Sequence, residues 1–167
     1  MESYPQSTSS TLPEDDIDQV ISLYANRIFR IAFSRLKNKS DAEDIVQDVF
    51  MKYIAHQDQF TDEEYRKAWL IRVTINCCNS LLRSAWFRKT TELKEDIPTE
   101  MTENSEILTY VLKLPERYRT IIHLFYYEEL SVKEIAVALN IKESLVKTRL
   151  HRARNALKEL CPDPSLL

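Results

Sequence analysis

The sequence predicts an all-α protein: two small helical domains joined by a flexible linker, the C-terminal one containing a helix-turn-helix. Three observations carry this. The 167 residues include no Gly and only 6 Pro and are rich in helix formers, so few strands and no glycine-built phosphate loop are expected. Apolar residues recur at three- and four-residue spacing on either side of an interruption. The interruption, Thr90 to Thr102 (TTELKEDIPTEMT), has Pro, acids and little periodicity, the pattern of a linker.

Taken in order, residues 1–13 are rich in Ser, Thr and Pro and predict a disordered tail. The first domain spans 14–89. From Asp15 to Leu36, Ile17, Val20, Ile21, Tyr24, Ile28, Ile31 and Ala32 fall on one helical face. Ser40, with Glu43 three residues on, has the spacing of a capping box. A second helix is therefore expected from Asp41 to Ala55, burying Ala42, Ile45, Val46, Val49, Phe50, Tyr53 and Ile54. His56 to Thr61 reads as a loop. A third helix, Asp62 to Phe87, is long, aromatic and basic.

After the linker (90–104), a second domain covers 105–162, with a short helix from Ser105 to Lys113 and another opened by Pro115 at its first position. Ser131 and Glu134 repeat the capping-box spacing, and Leu130 with Ile135 has that of a hydrophobic staple. That helix should run from Val132 to Leu139. Asn140 then stands where a left-handed residue is needed, the best available choice in a chain without glycine. A last helix follows from Lys142 to Leu160, burying Leu145, Val146, Leu150, Ala153 and Leu157.

The net charge of -3 conceals an alternation. Residues 1–62 carry 6 Lys/Arg against 11 Asp/Glu, 63–89 carry 6 against 2, 90–106 carry 1 against 6, and 107–167 carry 10 against 7. Two basic zones separated by acidic ones suggest two contacts with a polyanion and an acidic surface for another partner. No apolar run approaches the roughly 18 residues of a membrane span, and the polar, acidic N-terminus is unlike a signal peptide, so a cytoplasmic protein is expected. Cys77, Cys78 and Cys161 have neither disulfide-framework nor zinc spacing and read as reduced thiols.

Two short helices joined by a tight turn, the second basic, have the form of a DNA-binding helix-turn-helix. Ser144, Lys147, Thr148, His151 and Arg152 share its exposed face, with Arg149, Arg154 and Lys158 beside them. Such a face can enter a major groove, Arg and Lys donating to guanine acceptors and flanking cations holding phosphates. In the third helix Tyr65, Arg66, Lys67, Trp69 and Arg72, then Asn76, Arg83, Trp86, Arg88 and Lys89, interleave rings with cations, the chemistry of single-strand binding. Phe60 is an apolar ring in the polar loop QDQFTDEE without local apolar neighbours. Asp41, Asp44 and Asp48 lie on one helical face with Glu43 and Gln47 beside them. That face suits a basic docking partner; a carboxylate magnesium site and a merely solvated face are the alternatives.

Three blocks, DAEDIVQDVFMK (Asp41 to Lys52), AWLIRVTIN (Ala68 to Asn76) and SVKEIAVALNIKESLVKTRLHRARNALK (Ser131 to Lys158), stand in the order found in one family. Over about Val20 to Leu160 the chain resembles the small two-domain sigma factors of bacterial RNA polymerase, the extracytoplasmic-function (ECF) group of the sigma-70 family. The resemblance implies that Asp41, Asp44, Gln47, Asp48 and Lys52 dock on the core polymerase. It implies that Phe60 and Asn76 help hold an unpaired base of the minus-10 element, with Arg72, Arg83, Arg88 and Lys89 completing that DNA surface. Ser144, Lys147, Thr148, Arg149, His151 and Arg152 match the positions that face the minus-35 element. An anti-sigma factor, often membrane-anchored, is a further implied partner. No catalytic residue, cofactor, metal or small-molecule substrate is expected.

The chain departs from the family pattern at Asn140, where Gly is common, and at Lys142, where a Ser or Thr usually caps the last helix. Ser144 is the available substitute cap, which would shift the helix start by two residues. Asn79 receives no role. Two other functions fit parts of the sequence: an autonomous helix-turn-helix regulator, which would bind duplex DNA without polymerase, and a metal-dependent all-α enzyme built on the three aspartates.

Overall fold

A computed structural model describes residues 17–85, Pro98, Met101 and 105–167. Seven α-helices make up the described fold: α1 (Ile17–Leu36), α2 (Lys39–His56), α3 (Glu63–Ala85), α4 (Ser105–Val111), α5 (Glu116–Ile122), α6 (Val132–Leu139) and α7 (Glu143–Leu160). The N-terminal unit is α1, α2 and α3 packed on one another, and the C-terminal unit is α4 to α7. The expected tail and most of the expected linker lie outside the described residues.

Local chemistry sets the helix ends. The α2 cap is Asn38 rather than Ser40: its side chain accepts from the Asp41 amide at 2.8 Å, and the helix starts two residues earlier than predicted. Asp62 accepts from the Tyr65 amide at 2.7 Å in front of α3. Pro115 occupies the position before α5 rather than its first turn. The segment His123–Tyr127 then widens into a π turn, in a stretch the sequence reads as plain α-helix. At α6 the predicted capping box is present in both halves, with the Ser131 amide donating to Glu134 at 2.7 Å and the Glu134 amide to Ser131 Oγ at 3.2 Å. Asn140 is left-handed, with φ of 53°. Lys37 and Glu129 are left-handed too, so three non-glycine residues bear the steric cost of that conformation.

The core crosses between the units. Val20, Tyr24, Ile28, Ala42, Ile45, Val49, Phe50 and Leu70 form the N-terminal cluster, and Met101, Leu108 and Leu112 join it. A second cluster sets Ile31, Ile71 and Ile75 of α1 and α3 against Ile121, Leu124, Leu130, Ile135, Val146 and Leu150. For this reason α1 is buried beyond its predicted stripe, at Phe29, Phe33, Ser34 and Arg35. Ile54 and Leu145, expected inside, are exposed, because each is the marginal position of its apolar stripe.

Polar contacts reinforce the junction. Arg119 of α5, only 6% exposed, donates to the carbonyls of Ser34, Arg35 (2.9 Å) and Leu114 (2.7 Å). The first two belong to the last turn of α1, where carbonyls lack helical partners and the dipole is negative. Burial lowers the Arg119 pKa to about 10, which leaves it charged at neutral pH. Arg35 reaches Asn79 Oδ1 at 2.6 Å, Glu116 at 2.8 Å and Thr120 at 3.3 Å. Arg27 Nε lies 2.6 Å from buried Glu128, whose other carboxylate oxygen is 3.3 Å from His123.

Candidate nucleic-acid and polymerase-binding surfaces

The first surface is the outer face of α2. Ala42, Ile45, Val49, Phe50 and Tyr53 point inward, which turns Glu43, Asp44, Gln47 and Asp48 to solvent and leaves Asp41 half-buried. Lys52 closes the face, its ammonium 3.5 Å from Cys77 Sγ. The sequence reading overlooked Met51, which is 70% exposed and stands three residues after Asp48, on the same stripe. An adaptable thioether therefore stands among carboxylates on this outward face. The overlooked signal was an apolar residue out of phase with the buried stripe. Among the described residues no group of three or more acidic, His or Cys side chains could hold a metal ion.

The second surface runs along α3. Arg72, Asn76 and Arg83 are exposed at spacings of four and seven, on one face. Arg88 and Lys89 lie outside the described residues. Phe60 requires a correction: it is 1% exposed, stacked on Tyr53 at 5.3 Å and against Trp69 at 5.2 Å and Tyr65 at 5.7 Å. Its apolar partners come from α2 and α3 and are invisible in the local sequence. In this arrangement the ring offers no open face to a base; it packs against Tyr65, which is exposed, and half-buried Trp69. Arg66 is also structural, buried beside Glu63 at 3.0 Å and over the Tyr53 ring. Glu63 in turn accepts from the Tyr24 hydroxyl, whose pKa is raised by burial first and by Glu63 second.

The third surface is α7. Val146, Leu150, Ala153 and Leu157 are buried, so Ser144, Lys147, Thr148, His151 and Arg152 face outward together, with Arg149 half-buried at their edge. The helix starts at Glu143 with Lys142 as its cap residue, without a side-chain cap bond. Ser144 therefore does not shift the start; its carbonyl accepts from Thr148 Oγ1 at 2.9 Å. Arg154 is held away from this face, donating to the Tyr126 hydroxyl at 2.7 Å and lying over the Phe125 and Tyr126 rings. His151 is 3.3 Å from the Asn155 amide.

A capped helix-turn-helix with an outward cationic face, beside a three-helix unit with an outward acidic face, is the architecture of a two-part transcription factor. The family models agree on both parts: "Sigma-70 region 2" matches residues 20–88 and "Sigma-70, region 4" matches residues 104–157. The chain belongs to the ECF sigma factors of the sigma-70 family. Among its relatives, the ECF RNA polymerase sigma factor SigM of Bacillus subtilis is 33% identical, the match covering 86% of this chain and 94% of that one. SigW of the same organism is 29% identical over 90% and 91%. Two solved structures share the fold: the sigma factor RpoE in complex with the anti-sigma factor NepR from Bartonella quintana (TM-score 0.74, 27% identity, 87% of this chain and 96% of that one), and CnrH in complex with the cytosolic domain of CnrY (TM-score 0.64, 25% identity, 91% of each).

Proposed function

We propose that this sigma factor binds core RNA polymerase through Asp41, Asp44, Gln47, Asp48 and Lys52, with Met51 as the apolar centre of that contact. It then directs the enzyme to promoters with two separate surfaces. Arg72, Asn76 and Arg83 on α3, continued by Arg88 and Lys89, engage the minus-10 element as it melts, and α7 reads the minus-35 element through Ser144, Lys147, Thr148, Arg149, His151 and Arg152. Removing a base from the stack costs a few kcal/mol, which the exposed Tyr65 ring and the cations beside it can offset by stacking and phosphate contact. Phe60 serves by holding that ring in place.

The observation that carries this reading is the joint presence of an outward acidic and thioether face on α2 and an outward cationic face on α7. An autonomous regulator needs only the second. The protein acts in the cytoplasm, with polymerase supplying all of the chemistry. No helix among the described residues is long and apolar enough to cross a membrane. An anti-sigma factor is its expected antagonist; the similar RpoE chain is in complex with the anti-sigma factor NepR.

The test is co-elution with core polymerase followed by transcription from a genomic promoter library. A stoichiometric complex initiating at one shared two-element motif is expected, and Asp44→Lys should weaken the complex at least tenfold while leaving the fold intact. Tight, salt-sensitive duplex binding by the free protein, without a polymerase complex, would replace this reading with the autonomous regulator.

A further inference from the structure

We propose that Leu145 and the methyl group of Thr148 form a thymine reader on α7, which fixes a thymine in the minus-35 element; the proposal rests on the sigma-factor reading above and deepens it. Leu145 is the third residue of α7 and is 39% exposed, so it belongs only in part to the core. A single exposed leucine is ordinary on a protein surface. This one stands in the first turn of the second helix of a helix-turn-helix, and the N-terminal residues of such a helix are the ones that meet base edges. Leu145, Thr148 and Arg152 follow at i, i+3 and i+7 and therefore share one side of α7.

Thr148 determines what Leu145 can read. At three residues' spacing the two Cβ atoms are about 5–6 Å apart, so the side chains are neighbours on the surface. The Thr148 hydroxyl donates to the Ser144 carbonyl at 2.9 Å, which draws Oγ1 toward the helix backbone. A threonine Cβ carries two branches, and with the oxygen turned inward the methyl is the branch left for the exposed side of the residue. Its one hydroxyl hydrogen is also spent, so Thr148 has none to donate to guanine N7 and O6 or to thymine O4. The leucine side chain has no polar atom at all. Together they make an apolar spot about one helical turn long on a face that otherwise carries Lys147, Arg149 and Arg152. The cations serve phosphates and guanine edges. The apolar counterpart that the major groove offers is the C5 methyl group of thymine.

The experiment uses holoenzyme on a promoter recovered from an unmodified library, where thymine is the base that bears this methyl. Each thymine of the minus-35 element, on either strand, is replaced in turn by deoxyuridine, which deletes the methyl and keeps every hydrogen-bonding group. Affinity should fall about fourfold at one position or more, the value for one buried carbon. Leu145→Ala and Thr148→Ser should each weaken binding to the thymine promoter and shrink the uracil response at that same position, the serine keeping the hydroxyl that bonds the Ser144 carbonyl. If Leu145→Ala lowers the Tm, Thr148→Ser at an exposed position decides. A minus-35 element without an A·T pair, no response to uracil at any position, or a response that both variants leave at full size overturns the reader. Failure to form a polymerase complex overturns the sigma-factor reading instead; the uracil series is then run on the duplex that the free protein selects, where the same responses decide.

Discussion

Single residues in this molecule divide by what surrounds them, and Phe60 is the clearest case. Its ring is enclosed by Tyr53, Tyr65 and Trp69, so Phe60→Ala should cost roughly 3–5 kcal/mol of stability, read as a lowered denaturant midpoint. A residue acting only at DNA would leave that midpoint unchanged. Cys78 presents the same logic for reactivity: burial first of all pushes its thiol up to about 12, so it stays protonated at neutral pH and unsuited to redox sensing. The sequence could not separate these cases, because the neighbours of Phe60 and Cys78 are brought in by other helices. Where residues face outward from a regular helix, as on α7, the period of the sequence was enough to place them. Lys147, Thr148, His151 and Arg152 sit where it places them.

At the scale of elements, the absence of glycine has a measurable effect. Lys37 ends α1 in the left-handed region, its amide bonded to Phe33 O at 2.8 Å. Lys37→Gly should raise stability by about 1 kcal/mol by removing the Cβ clash, seen as a higher Tm. The α6 capping box makes a second prediction. The Glu134 carboxyl is held below its ordinary value, first by the Ser131 amide, then by the Ser131 hydroxyl and, more weakly, by Lys67. Its contribution is therefore complete above the unfolded glutamate value of about 4.3 and is lost as pH falls through the lower folded value. Glu134→Gln should flatten that acid limb in denaturation curves measured from pH 6 to pH 3. Caps were legible wherever one candidate stood alone, as at Ser131. At α2 the capping-box spacing pointed to Ser40, but Asn38, two residues earlier, is the cap because its side-chain oxygen meets the Asp41 amide. The π turn at His123–Tyr127 was not legible, since the bond that marks it, Glu128 N to His123 O at 3.1 Å, leaves no signature in residue type or spacing.

For the whole molecule, the division into two units was readable from the linker composition, while their union was not. Ile31, Ile71 and Ile75 satisfy the helical period of their own unit equally well whether or not a second unit covers them. The shared cluster predicts that calorimetry will record one cooperative transition for the full chain, with Arg119→Met lowering its midpoint by the equivalent of about 2–3 kcal/mol, because the α1 carbonyls lose their donor. Two well-separated transitions would contradict the shared core. That core also carries a consequence for concentrated solutions. Nothing in the Arg119 seat or the isoleucine cluster specifies that the two units come from the same polypeptide, so at high protein concentration one chain's C-terminal unit can settle on another's N-terminal unit. A reciprocal exchange of this kind yields a two-fold dimer with the monomer's own contacts, favoured only once the concentration exceeds the local one set by the tether.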